Sequence, residues 1–162
     1  MKRKAFLSYL FLLTITAYLF LYNISSCLGW AYVVYLVAMS LLTGDAAQDM
    51  WEKVAEPLRV VQTLALLEVA HSLFGLVRSP LITTVMQVGS RISLLWIYSN
   101  SYVACQQHWS LYWMIGSWAL VEVPRYLFYA LNLYTSKVPF PIFWLRYTLF
   151  MVLYPTGILG MQ

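Results

Sequence analysis

Residues 5–43 read AFLSYLFLLTITAYLFLYNISSCLGWAYVVYLVAMSLLT and contain no charged side chain. A helix needs about 20 apolar residues to cross the hydrocarbon core of a bilayer. The tract could therefore form one long helix or two short passes, but no charged loop divides it. We favour one span over about 17–42, preceded by a helical extension. A cleaved signal peptide is the competing interpretation, weakened because no small-residue cleavage site leads into a polar region.

The composition limits the class of protein. Of the 162 residues, 62% are hydrophobic and only 10% are charged, whereas a soluble domain usually carries about 25% charged residues. This profile is typical of a polytopic membrane protein, because too little polar surface remains to cover a soluble core. The net charge is +4. Apart from the basic cluster at residues 2–4, the charged side chains are dispersed along the chain. No basic stripe interleaves with exposed aromatics, so we expect no nucleic-acid partner.

Four further apolar segments follow the first tract, at about 58–77, 81–99, 109–134 and 142–160. The acidic stretch 44–57 predicts a polar loop with a short interfacial helix ending at Pro57. The expected fold is therefore all-α: a polytopic transmembrane helix bundle of about five spans, forming one membrane domain over 1–162. The basic N-terminus and the connections near Arg78 and Lys137 fall on one side, which the positive-inside rule places in the cytosol.

The cysteines and histidines predict neither a disulfide framework nor a metal site. Cys27 and Cys105 lie far apart, without a CxxC motif or a nearby ligand. We expect two ordinary thiols. His71 lies in a predicted span and His108 in a loop, with no second histidine at metal-binding spacing.

Several ionisable side chains lie within or near the predicted spans, where each costs about 2.5–3.5 kcal/mol at the bilayer centre. Spacing places Glu122, Arg125 and Tyr129 on one helical face, and Gln87 and Arg91 on another. Such groups form either interhelical ion pairs that fix packing or a polar cleft that holds a headgroup. The candidates for the cleft or for structural support are Glu68, Gln87, Arg91, Glu122, Arg125 and Arg146.

Residues 71–79, HSLFGLVRS, imitate the HCxxGxxRS loop of protein tyrosine phosphatases. Ser72 stands where the nucleophilic cysteine would be, and a serine lacks the low-pKa thiolate on which that chemistry depends. The segment also follows an apolar helix rather than a strand. Phosphatase activity is therefore not expected.

Ordered blocks along nearly the whole chain carry a more specific resemblance: LYNISSCLGW (21–30), EPLRVVQTLALLEVAHSLFGLVRSP (56–80), TTVMQVGSR (83–91), EVPRYLFYALN (122–132) and LRYTLFMVLYPTG (145–157). The chain resembles the (3R)-3-hydroxyacyl-CoA dehydratases of very-long-chain fatty acid elongation, once called protein-tyrosine-phosphatase-like, in a plant-like form. The resemblance implies a six-span protein of the endoplasmic reticulum membrane. It further implies an acyl-CoA substrate, no cofactor, and other elongation enzymes as candidate partners.

The family pattern YPxGxxxE supplies the acid–base pair of the dehydration. Tyr154 matches the tyrosine, and Gly157 the glycine, which would help to loosen the helix beside the site. Met161 occupies the glutamate position and cannot carry a proton, and the sequence ends at Gln162. The resemblance thus implies a C-terminally truncated member that lacks the last span and has impaired dehydratase activity. A non-catalytic membrane partner or scaffold of the elongation complex is the alternative.

Overall fold

The computed structural model describes residues 2–99, 102, 106–135 and 138–159, and the side chains of 6–97, 102, 106–135 and 138–149. All regular structure in these ranges is helical, which confirms the all-α prediction for this part of the chain. The helices are α1 (Lys2–Thr43), α2 (Ala47–Leu64), α3 (Leu66–Leu73), α4 (Leu81–Ser93) with a π-helix (Leu94–Ser99) directly after it, α5 (Ser110–Tyr134) and α6 (Phe140–Leu159).

The helix α1 is continuous through Asn23 and Gly29, so residues 5–43 form one helix rather than two. Within the described ranges, Phe6–Thr43 is the one helix that is long and apolar enough to cross a membrane by length and composition. The shorter apolar helix Leu81–Ile97 lies below that length. The five-span arrangement therefore stays a prediction.

The predicted helix end at Pro57 is wrong, because α2 continues through this proline to Leu64. Proline inside a helix removes one hydrogen bond and costs about 3 kcal/mol. The cost is offset because α2 buries a stripe of large side chains at helical spacing, including Met50, Val54 and Leu58, each 0% exposed. Pattern and packing together outweigh the local preference of a single residue.

The predicted span 58–77 is divided between α2 and α3 at Ala65. The backbone of Ala65 remains right-handed, with φ −62° and ψ −19°, and its N–H donates to the Val61 carbonyl. The chain therefore continues in nearly the same direction. The predicted spans 81–99, 109–134 and 142–160 match the observed helices within two residues at each end, if α4 and the π-helix are taken together. The predicted span 17–42 lies within α1, and the helix continues towards the N-terminus as the predicted extension.

The core lies where α1, α2 and α5 pack together, and it also includes Leu95 of the π-helix. The helices α1 and α2 approach closely at Gly29, where an added Cβ would lie 2.6 Å from Cγ1 of Val61. Further contacts join α5 to α6 and α3 to α4. The central buried residues are Trp30, Val33, Met50, Val54, Leu58, Leu95, Ile115, Ala119 and Tyr126.

Candidate functional site

Four charged side chains from three helices meet inside the bundle; we call Glu68, Arg91, Glu122 and Arg125 the ion-pair cluster. Arg125 donates to both carboxylate oxygens of Glu68, at 2.8 and 2.7 Å, and from Nε to Oε2 of Glu122 at 2.7 Å. Arg91 donates to the other oxygen of Glu122. The Glu122 side chain is 0% exposed, and those of the other three are at most 17% exposed.

The cluster contains two carboxylates and two guanidinium groups, so its formal charges cancel. A buried charge is tolerated only when it is paired and hydrogen-bonded, because removal from water costs several kcal/mol per ion. The residues come from α3, α4 and α5, and the pairs therefore hold these helices in register. The spacing of Glu122 and Arg125, i and i+3 on α5, predicted their shared face, and the structure shows it.

Tyr126 is a member of the site that sequence reasoning missed. Its hydroxyl donates to Oε1 of Glu68, its side chain is 1% exposed, and the Arg125 guanidinium carbon lies 4.5 Å from its ring centroid. The spacing of polar residues along 122–129 indicated Tyr129 instead. The i, i+4 spacing from Glu122 places Tyr126 on the same face of α5, but the chain has 13 tyrosines, which weakens any such signal. The contact with Glu68 is between helices, and spacing along α5 does not predict it.

His71 lies beside the cluster and connects α3 to α1. It is 4% exposed, and its Nε2 lies 2.9 Å from the hydroxyl of Tyr18. The rings of Tyr18 and Tyr22 both meet the imidazole edge-to-face, with centroid distances of 5.4 and 4.8 Å. The Tyr22 hydroxyl donates to the Leu64 carbonyl at 3.1 Å. His71 is thus a packed, hydrogen-bonded histidine.

Gln87 does not join the ion-pair cluster, although it lies one turn before Arg91. The buried stripe of α4 consists of Thr84 and Val88 and continues towards Arg91. Gln87 lies beside this stripe and is exposed. Residues at i and i+4 lie on only approximately the same face of a helix. The long Arg91 side chain reaches the Glu122 carboxylate, whereas the Gln87 side chain does not.

Arg146 lies on α6 and contacts α5 through aromatic rings. Its guanidinium carbon is 4.3 Å from the ring centroid of Phe128, 4.6 Å from that of Tyr129 and 5.5 Å from that of Tyr147. One N–H donates to the Tyr129 hydroxyl at 3.2 Å. Tyr129 also lies 5.7 Å from the guanidinium carbon of Arg125, so this ring joins Arg146 to the ion-pair cluster.

The residues of the YPxGxxxE pattern lie at the C-terminal limit of the described residues. The backbone of α6 is helical through Tyr154 and Gly157, but their side-chain surroundings are outside the described residues. Met161 lies outside them entirely. The predicted role of Tyr154 therefore stays a prediction.

The phosphatase-like segment forms a helix end rather than a phosphate-binding loop. Gly75 has a φ of +66°, its N–H bonds to the Ser72 carbonyl at 3.2 Å, and the N–H of Leu76 bonds to the His71 carbonyl at 2.8 Å. These two bonds make a Schellman motif, which needs a residue in the left-handed region after the helix. The glycine of HSLFGLVRS therefore ends α3.

An apolar cavity of about 410 Å³ lies between α1 and α5, lined in part by Val34, Leu41, Trp113 and Leu120. It is on the other side of α5 from the ion-pair cluster, since Leu120 and Glu122 are two positions apart and such positions do not share a face. The described side chains contain no group of three or more His, Cys, Asp or Glu residues that could hold a metal. Cys27 is a free thiol, and Cys105 is outside the described residues.

These features define an all-helical protein whose apolar bundle contains a buried, charge-balanced ion-pair cluster. The family model described as "Protein tyrosine phosphatase-like protein, PTPLA" matches residues 62–161, a range that contains the whole cluster. The chain belongs to this family.

Proteins similar to this chain are named very-long-chain (3R)-3-hydroxyacyl-CoA dehydratases. They include hpo-8 of Caenorhabditis elegans, 38% identical over 91% of this chain and 68% of the relative. PASTICCINO 2 of Arabidopsis thaliana is 39% identical over 87% of this chain and 63% of the relative. Dehydratase 2 of Homo sapiens is 36% identical over 90% of this chain and 57% of the relative. The chain thus covers from 57% to 68% of the length of these relatives. No solved structure matches it.

Proposed function

We propose that this chain carries the dehydratase site of its family and acts on a (3R)-3-hydroxyacyl-CoA, releasing water and the trans-2-enoyl-CoA. Membership of a family whose similar relatives carry that name is the observation that supports the proposal. In this reaction a proton leaves carbon 2 and the hydroxyl leaves carbon 3, and a double bond forms between them. One acid–base pair in a water-poor site suffices for these transfers.

Tyr154 is the proposed proton-transfer residue, by its match to the tyrosine of YPxGxxxE. An ordinary phenol has a pKa near 10, so it suits protonation of the departing hydroxyl. In this proposal the ion-pair cluster holds α3, α4 and α5 in register around the substrate. The cluster itself transfers no proton, because each of its carboxylates is held in an ion pair.

The activity of this chain is proposed to be low, because Met161 occupies the position of the family glutamate. Loss of one member of an acid–base pair typically costs about 10²–10⁴-fold in rate. Purified chain assayed with a 3-hydroxyacyl-CoA should turn over slowly, and Met161→Glu should raise the rate by that factor. The gain should disappear when Tyr154→Phe is added.

Met161→Gln is the matched control, since it is polar and close in size but does not exchange protons. A rise in rate equal to that of Met161→Glu would contradict the proposed proton-transfer role. Turnover by the unmodified chain at the rate of a natural relative would contradict the proposed impairment. Absence of turnover in every variant would contradict the dehydratase function.

The same methionine favours a second candidate function, that of a non-catalytic membrane partner of fatty acid elongation enzymes. Such a role needs helix faces but no proton transfer. Co-purification of the tagged chain with named elongation enzymes should then persist in Tyr154→Phe. Complete absence of these enzymes from the purified material would contradict this candidate.

We also propose a multi-pass arrangement in the endoplasmic reticulum membrane, with the N-terminus in the cytosol. Large apolar side chains of α1 are exposed on several faces, for example Phe6 at 63%, Leu21 at 64% and Leu28 at 65%. A continuous exposed apolar surface of this kind needs a non-aqueous surrounding. Protease should remove a tag fused at residue 1 in sealed microsomes and spare a tag inserted at Gly44. The reverse pattern would contradict the orientation.

A further inference from the structure

Arg146 carries a positive charge for which the described part of the chain supplies no carboxylate. The two carboxylates of the ion-pair cluster are taken up by Arg91 and Arg125. The ion pairs in the described ranges do not include Arg146, whose contacts are aromatic rings and one hydroxyl. A half-buried cation in an apolar bundle is costly unless an anion accompanies it.

The surroundings of Arg146 suit an anion rather than another cation. Two guanidinium carbons lie near the Tyr129 ring centroid, that of Arg146 at 4.6 Å and that of Arg125 at 5.7 Å. The charge of Arg125 is balanced by Glu68 and Glu122, and that of Arg146 is not, so the site has an excess of one positive charge. Such an excess next to a charge-balanced cluster attracts a single anionic group.

Among the described side chains, the Tyr129 hydroxyl is the one hydrogen-bond acceptor of Arg146, which leaves most of its donors for a ligand. A guanidinium has five N–H donors in a planar fork that matches a phosphate, and one of them is used by the Tyr129 hydroxyl. The rings of Phe128, Tyr129 and Tyr147 hold the plane in place by cation–π contacts. A fork held in advance loses less entropy when it binds a phosphate.

The position of Arg146 along α6 places it near one end of the bundle. It lies six residues after Phe140, which corresponds to about 9 Å along a helix axis. In the proposed orientation, the end of α6 at Phe140 faces the cytosol. A phosphate of a cytosolic substrate could reach this depth while an acyl chain extends further into the bundle.

We propose that Arg146, positioned by Tyr129 and Phe128, binds a phosphate group of the coenzyme A portion of the substrate. This inference rests on the proposed function, which supplies acyl-CoA as the ligand. A phospholipid headgroup offers the same chemistry from a different source. The two sources are separated by competition, because coenzyme A is water-soluble and a phospholipid is not.

The test is binding of coenzyme A and of pantetheine, which lacks the phosphates, to the full chain in nanodiscs of neutral phosphatidylcholine. Isothermal titration should show that Arg146→Met weakens coenzyme A binding by about 10-fold to 100-fold, the usual effect of losing hydrogen bonds to a charged group. Arg146→Lys should retain part of the affinity, and pantetheine binding should not change. Arg78→Met removes an exposed arginine and should leave coenzyme A binding unaltered.

Equal coenzyme A affinity in the unmodified chain and in Arg146→Met, with matched helix content, overturns the inference. So does Arg146-dependent binding of anionic phospholipid that coenzyme A fails to displace. If Arg146→Met changes the far-ultraviolet circular dichroism, Tyr129→Phe replaces it as the test variant. This substitution keeps the ring and removes one hydrogen bond. It should still weaken coenzyme A binding more than pantetheine binding.

Binding and turnover, measured on the same variants, separate this inference from the proposed function. Coenzyme A binding does not require turnover, so Arg146-dependent binding by a chain that never dehydrates substrate contradicts the dehydratase proposal alone. If Arg146→Met reduces turnover equally for a 3-hydroxyacyl-CoA and for its phosphate-free pantetheine thioester, this result contradicts the phosphate site alone.

Discussion

Arg125 and Glu68 form a two-point ion pair between α5 and α3, with N–O distances of 2.8 and 2.7 Å, across a sequence separation of 57 residues. The planar fork of arginine matches the two oxygens of a carboxylate, so the contact fixes the relative orientation of the two groups and also stabilises the fold. Because Arg125 also binds Glu122, one guanidinium joins both acids of the ion-pair cluster.

Neutralising Glu122 should destabilise the protein strongly. The side chain is 0% exposed and balances Arg91 and Arg125, so Glu122→Gln leaves a buried positive charge in excess. Breaking a buried pair typically costs about 3–5 kcal/mol. Chemical denaturation in detergent measures the loss. Glu56→Gln is the control, because Glu56 is 78% exposed in its pair with Arg59 and should cost about 0–1 kcal/mol.

Arg125→Met should destabilise more than Arg91→Met. The two arginines are similarly buried, at 15% and 17% side-chain exposure. Arg125 contacts both carboxylates, whereas Arg91 contacts one, so loss of Arg125 leaves more charge unpaired. The midpoints of thermal unfolding in one detergent give the order. Equal midpoints would show that Glu68 does not depend on Arg125 for its charge balance.

The same substitution, glycine to alanine, should have opposite effects at two helical sites. At Gly29 the new Cβ would lie 2.6 Å from Cγ1 of Val61, a stiff β-branched side chain that cannot easily move aside. At Gly89 nothing lies within 4 Å, so Gly89→Ala should stabilise α4 by up to about 1 kcal/mol through helix propensity. Equilibrium unfolding compares both, and Val61→Ala should rescue Gly29→Ala.

Gln62→Met should be neutral or stabilising, by up to about 1–3 kcal/mol. Gln62 is 0% exposed, and neither atom of its amide has a hydrogen-bond partner among the described residues. Methionine keeps the length of the side chain and removes the unsatisfied groups. Gln87→Met, at an exposed position, controls for the change of residue type. A loss of stability at position 62 alone would reveal a polar partner for the amide.

The turn between α1 and α2 should respond to acid through Asp45. A hydrogen bond from Lys53, followed by one from Thr43, holds the pKa of the Asp45 carboxyl below its usual value. A lowered folded pKa stabilises the fold above the unfolded pKa, about 4, and this contribution is lost as the pH falls through the folded value. The unmodified chain should therefore exceed Asp45→Asn in stability at pH 7. Thermal unfolding should show this difference vanishing at low pH; a constant difference would contradict the titration.

Sequence reasoning predicted part of the site and missed the rest for identifiable reasons. Glu122 and Arg125 share one helix, so their spacing predicted their contact. Gln87 was included because i, i+4 spacing suggests a shared face, but the buried stripe of α4 excludes it. Tyr126 was missed, because a contact with Glu68 requires knowledge of how α3 packs on α5.

The amino-acid sequence by itself determined the all-helical class, the approximate limits of most helices and the family, because apolar length and residue order are local properties of the chain. The continuation of α2 through Pro57, the exclusion of Gln87 and the pairing of Glu68 with Arg125 depended on tertiary structure. Ionic contacts act over only a few ångströms in space, whatever the distance along the chain. Which charges meet is therefore decided by packing of helices that the sequence places far apart.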